Sequence, residues 1–210
     1  LWDPLATSSC WHGVTSVITG NCGLALAPCR AEDRENVLRT FVRVEAMPFP
    51  TLKEAVSWDW TTFPEYLKCL QDQIGVNVAG LMGHCALRQF VMGEESSERS
   101  ATDAEVGQMK DILREGIRAG AMGFSTNRNP VHMRDDGRPI PSRLATDDEI
   151  LELCGVLGEL NRGSIQISLG TPGISLPLEK AMDLFNRMAA RSGRPVIWQS
   201  IAQRWSHPDL

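Results

Sequence analysis

Apolar residues recur along the chain at two spacings. Val106, Met109, Leu113 and Ile117 step by three and four before Gly120. Ile150, Leu153, Cys154, Leu157 and Leu160 do the same before Gly163, as do Leu178, Met182, Phe185 and Met188 before Gly193. That spacing predicts helices with one apolar face. Between them lie short apolar runs at 14–19, 76–82, 121–125, 164–168 and 195–199, the mark of strands covered on both sides. Strands separated by helices predict βαβ units and a parallel sheet. Thr-x-x-Glu pairs mark further helix starts, because the two residues satisfy each other's free backbone N–H groups. They stand at Thr51 and Glu54, Thr62 and Glu65, Thr102 and Glu105, and Thr146 and Glu149. Asp3 followed by Pro4 predicts an earlier helix that stops near Gly13.

Two connections interrupt this rhythm. Residues 28–61 and 127–143, rich in Pro and charge, are longer than ordinary connections and read as loops inserted over one end of a single domain spanning 1–210. The chain starts at Leu1 rather than Met and its last residues predict no closing helix or strand, so a piece of a longer polypeptide is expected.

Composition narrows the function. With 42% hydrophobic and 22% charged residues, the chain has enough apolar content to bury a core. A net charge of -5, with Lys and Arg scattered, leaves no basic field for nucleic acid. No apolar run reaches the roughly 20 residues of a membrane helix, and the first residues lack a secretory pattern. The six cysteines are widely spaced without a Cys-x-x-Cys pair, which reads as cytoplasmic thiols rather than a disulfide framework.

Cys22, between Gly20-Asn21 and Gly23, follows the first predicted strand. By spacing alone it reads either as a packed core thiol or, at a strand's carboxyl end, as a ligand for a divalent metal. His84 and Arg88 follow the second strand, either as hydrogen-bonded structural groups or as substrate contacts, with Arg88 a bidentate clamp for a carboxylate. Ser125, Arg128 and His132 follow the third, as a solvated loop or as the lining of a polar pocket.

The stretch WHGVTSVITGNCGLALAP at 11–28 resembles a block of the N-acyl-D-amino-acid deacylases of the amidohydrolase superfamily. WDWTTFPEYL at 58–67, NVAGLMGHCALR at 77–88, the helix opening at Ala101 and GAMGFST at 120–126 match in the same order. The resemblance implies an α/β fold, an incomplete (β/α)8 TIM-type barrel of the metal-dependent amidohydrolase kind. It also implies hydrolysis of a non-peptide C–N amide in an N-acyl-D-amino acid, with Zn2+ or another divalent metal as cofactor. The alternatives are a cyclic amidase or dipeptidase of the superfamily, or a barrel relative without catalysis. Only the family's cysteine ligand transfers, to Cys22. The His-x-His pair and the catalytic aspartate would lie outside the chain, leaving no catalytic residue within it and an inactive isolated piece. The strands at 164–168 and 195–200, where the family carries histidines, contain none. A small N-acylated amino acid is the implied partner, with a homo-oligomer possible.

Overall fold

The computed structural model describes residues 3–71, 74–170 and 177–199. After helix α1 (Thr7–Trp11) comes strand β1 (Ser16–Thr19), then α2 (Arg34–Val44), α3 (Phe49–Ala55) and α4 (Phe63–Gln71). Strand β2 (Asn77–Gly83) runs straight into α5 (His84–Met92), followed by α6 (Asp103–Ala119), β3 (Gly123–Asn127), α7 (Asp147–Leu160), β4 (Ser164–Ser168), α8 (Leu178–Ser192) and β5 (Val196–Trp198).

The strands form one sheet in the order β1-β2-β3-β4-β5, and every neighbouring pair is parallel. This is the α/β architecture of a partial TIM-type barrel, with helices on one side. The helix-facing side is apolar: Met82, Phe124, Ile165 and Ile167 join Leu113, Ile117, Leu153, Leu157, Leu184 and Phe185 in one core. Burial of this stripe is what holds the helices to the sheet. Trp198 extends it, stacked on Phe185 with ring centroids 5.0 Å apart.

The opposite side is polar over β3 and β4, with Leu81 of β2 and Ile197 of β5 beside them on the same face. Ser125 pairs with Gln166, and Asn127 with Ser168, in registers that put each pair on one face. Among the described residues, no strand carries an ionisable side chain, since SVIT, NVAGLMG, GFSTN, SIQIS and VIW hold no acid, base, histidine, cysteine or tyrosine.

Several local expectations shift. The Asp3 carboxylate accepts from the Thr7 N–H (2.8 Å), and the helix begins three residues later than the Asp3-Pro4 signal suggested. Thr51 lies inside α3, which opens after Pro48, so it caps nothing. Thr102 and Glu105 form the full reciprocal box. Residues 28–61 are not irregular throughout, because α2 and α3 occupy much of them. Among the described residues, no helix is long and apolar enough to cross a membrane.

Candidate functional site at the carboxyl ends of the strands

The chain leaving β1 turns back over the polar face of the sheet. Gly20 takes a left-handed backbone (φ 83°), where a side chain would sit 2.3 Å from the Leu81 carbonyl oxygen. Gly83, at the end of β2, leaves space for this turn, since a Cβ there would lie 2.7 Å from the Gly23 carbonyl oxygen and 2.8 Å from the Ala25 methyl. The turn Asn21–Gly23 therefore lies across β2 and reaches β3 and β4. Cys22 itself is left-handed (φ 58°), an uncommon state for a residue with a Cβ.

Its contacts pin the turn. The Cys22 N–H donates to Oε1 of Gln166 (2.7 Å) and its thiol donates to Oε1 of Gln199 (2.6 Å). The Gly23 N–H donates to the Ser125 hydroxyl (3.1 Å), which in turn donates to the Gly20 carbonyl. The thiol's pKa is pushed up to about 11, first by burial and then by the Glu45 charge, with the contacts to Ser168 and Gln199 pulling the other way. The thiol is neutral near pH 7.

Of the sequence-predicted residues, only Ser125 joins Cys22. His84 and Arg88 lie fully buried in a second cluster. Arg88 Nη1 donates to both carboxylate oxygens of Glu149 (2.7 and 2.6 Å), and Nη2 donates to the Arg99 carbonyl (2.6 Å). His84 Nε2 is 2.8 Å from Glu149 Oε1, and Nδ1 is 2.8 Å from the Thr126 hydroxyl. Beside a carboxylate, Nε2 carries the proton and Nδ1 accepts from Thr126. Burial would raise the Glu149 pKa, but the His84 hydrogen bond and the Arg88 charge hold it at about 2. Burial lowers that of His84 despite Glu149. The carboxylate that Arg88 clamps is thus one of the chain's own.

Arg128 and His132 are partly exposed on the connection after β3. Arg128 Nη1 donates to Asp147 (2.6 Å) at the edge of a cleft of about 500 Å3 that Glu179, Lys180 and Asp183 also line. His132 accepts from Asn127 Nδ2 at Nδ1 (2.6 Å), and its pKa is lowered by burial and by the Arg143 charge. A larger hollow of about 840 Å3 opens at the other end of the sheet, around Val14, Thr15 and Asn77.

Gln166, Ser168, Gln199 and Glu149 complete these two clusters, and sequence reasoning did not single them out. The strict alternation Ser164-Ile165-Gln166-Ile167-Ser168 is the available signal for the first two: a strand with one apolar face must present the other to the barrel interior. Glu149 was legible only as a helix-start residue. Thr146 does accept from the Glu149 N–H (3.1 Å), but the glutamate side chain turns inward to His84 and Arg88 instead of completing the box.

Among the described residues, no three His, Cys, Asp or Glu side chains come together to hold a metal ion. Around the Cys22 sulfur stand carboxamide and hydroxyl groups, which are poor partners for zinc. The described donors do not make up a metal set.

Known proteins are similar to this chain in sequence and in fold. A D-aminoacylase of Alcaligenes xylosoxydans xylosoxydans is 34% identical over 144 residues, covering 68% of this chain and 25% of that protein. The solved N-acyl-D-glutamate deacylase of Bordetella bronchiseptica, complexed with zinc and a phosphonate inhibitor, is 25% identical with a TM-score of 0.69, covering 93% of this chain and 36% of that one. A D-aminoacylase structure described by its binuclear metal center is 28% identical with a TM-score of 0.65, covering 88% and 34%. The chain spans about a quarter of the length of the curated relatives it matches and about a third of the solved ones. A family model for the amidohydrolases matches residues 1–208, and with that match running over nearly its whole length, this chain belongs to the amidohydrolase family.

Proposed function

We propose that the protein carrying this chain is a metal-dependent hydrolase that cleaves the C–N amide bond of N-acyl-D-amino acids. The observation that carries this reading is the placement of the Cys22 turn over the carboxyl ends of β2, β3 and β4, in a five-stranded parallel sheet like that of the D-aminoacylases. In such barrels that end is the reactive face. The names of the relatives supply the substrate class. A divalent metal belongs to the reading as the cofactor of solved relatives, and the described residues support no step through it.

The roles of this chain's residues follow from their surroundings. Ser125 holds the Cys22 turn. Arg128 and His132, partly exposed after β3, are the groups we assign to contact with the acylated amino acid. His84 and Arg88 act as positioning residues that lock β2, β3 and α7 together through Thr126 and Glu149. A cytoplasmic setting accords with the free thiols of all six cysteines.

The test is a panel of N-acyl-D-amino acids, their L enantiomers and cyclic amides offered to the complete protein. Release of free D-amino acids is expected, and turnover confined to rings or to L substrates overturns the reading. The neutral donor set favours one second reading, a binding subunit without catalysis. An inert protein whose melting temperature rises with acylated amino acids would bring it forward.

A further inference from the structure

We propose that Cys22 in this chain is a hydrogen-bonding thiol and not a metal ligand, so that any metal of the complete protein is held without it. The inference rests on the family reading, because it concerns where solved relatives' metal chemistry departs from this chain.

A metal thiolate needs further nitrogen, sulfur or carboxylate ligands at about 2.0–2.3 Å from the same ion. Among the described residues, the polar face of the sheet offers none. The places next to Cys22 are filled by Gln166 and Gln199, whose oxygens take its N–H and S–H, and by Ser168 beside the sulfur. Each of these is neutral at all ordinary pH values. The backbone N–H of Cys22 can only donate, which fixes the Gln166 carboxamide with its oxygen inward. A thiol likewise donates to Gln199. The S–H group is thus directed at a neutral carboxamide, and Cys22 serves to position two carboxamides at the rim.

None of the described strands carries an ionisable side chain, so an unpaired thiolate here would stand buried with no positive partner on the sheet. Such a charge is disfavoured unless paired. Histidines at positions 168 and 199 would change that balance, because they would supply neutral nitrogen donors beside the sulfur.

Cobalt(II) reports directly on sulfur ligation. The complete protein is stripped with chelator, reloaded with cobalt(II), and its near-ultraviolet spectrum and metal content are compared with those of Cys22→Ser. The expected result is no sulfur-to-cobalt charge-transfer band and an unchanged metal-to-protein ratio in Cys22→Ser. A band in the parent that vanishes in Cys22→Ser, or a loss of metal in that variant, overturns the proposal. The paired substitution Ser168→His with Gln199→His is expected to create the band. Its absence, in a variant whose circular dichroism matches the parent, removes the claim that these two positions withhold the metal. Inactivity on N-acyl-D-amino acids together with the expected spectra would defeat the substrate reading and leave this one standing.

Discussion

Glu149 joins two long-range partners, His84 at 65 residues' separation and Arg88 at 61, in a site that excludes water. Removing one member of such a buried pair leaves the other charge without compensation, which costs about 3–5 kcal/mol. Glu149→Gln in the complete protein should lower the urea midpoint accordingly, and Arg88→Met with Glu149→Leu should cost less than either alone. Acid should probe the same cluster. Glu149 is held at about 2 against an ordinary 4.5, so its contribution is full above 4.5 and is lost as the pH falls toward 2. That shift corresponds to on the order of 3 kcal/mol. The lowered pKa of His84 acts with the same sign below 6.5, since the unfolded chain takes up the proton more readily. Urea midpoints measured at pH 7, 5 and 3 should fall less steeply in the double variant, and parallel slopes would remove the cluster from the acid response. At this scale the sequence was least informative. Thr146-x-x-Glu149 announces a helix start, but the turn of the glutamate side chain toward a histidine on another strand end has no local signature.

Elements were easier to read, and the reasons differ from case to case. Helices α6, α7 and α8 were legible because each is long, has a regular apolar face and stops at or near a glycine or asparagine. Strand β4 kept its predicted bounds, Ser164–Ser168, because glycine precedes it and the helical pattern ends there. Helix α5 escaped notice because it begins at the residue after β2 with no side-chain cap, so strand and helix merge into one apolar run. The Cys22 turn was legible in its glycines, while its path across β2 depends on Gly83, far along the chain. Gly83→Ala would push a methyl against the Gly23 carbonyl and the Ala25 side chain. A loss of about 1–3 kcal/mol is expected, read as a lower thermal midpoint of the complete protein. A variant of parental stability would show that the turn can lift off the sheet.

For the molecule as a whole, the parallel sheet followed from the alternation of apolar runs and helical stretches, but the expectation of strands covered on both sides did not hold, because β3 and β4 turn Ser125, Gln166, Asn127 and Ser168 away from the helices. The layout of the polar face did not follow either, because it depends on a turn crossing one strand to reach two others. Among the described residues, β1 and β5 are edge strands, and Ile18 (46%) and Ile197 (51%) are exposed on them. Unpaired edges with apolar side chains favour pairing between copies. The 210-residue chain expressed alone should therefore elute as oligomers or larger aggregates in light-scattering chromatography, whereas a monomer with a cooperative melt would show that the open sheet is self-sufficient.

The lack of ionisable groups on the described strands has a last consequence. The described strands bring no charge of their own, and the protons gained or lost around them are handled by turns and helices mounted on them. Chemistry at the rim can accordingly be retuned by changing those mounted segments, while the beams beneath them stay as they are.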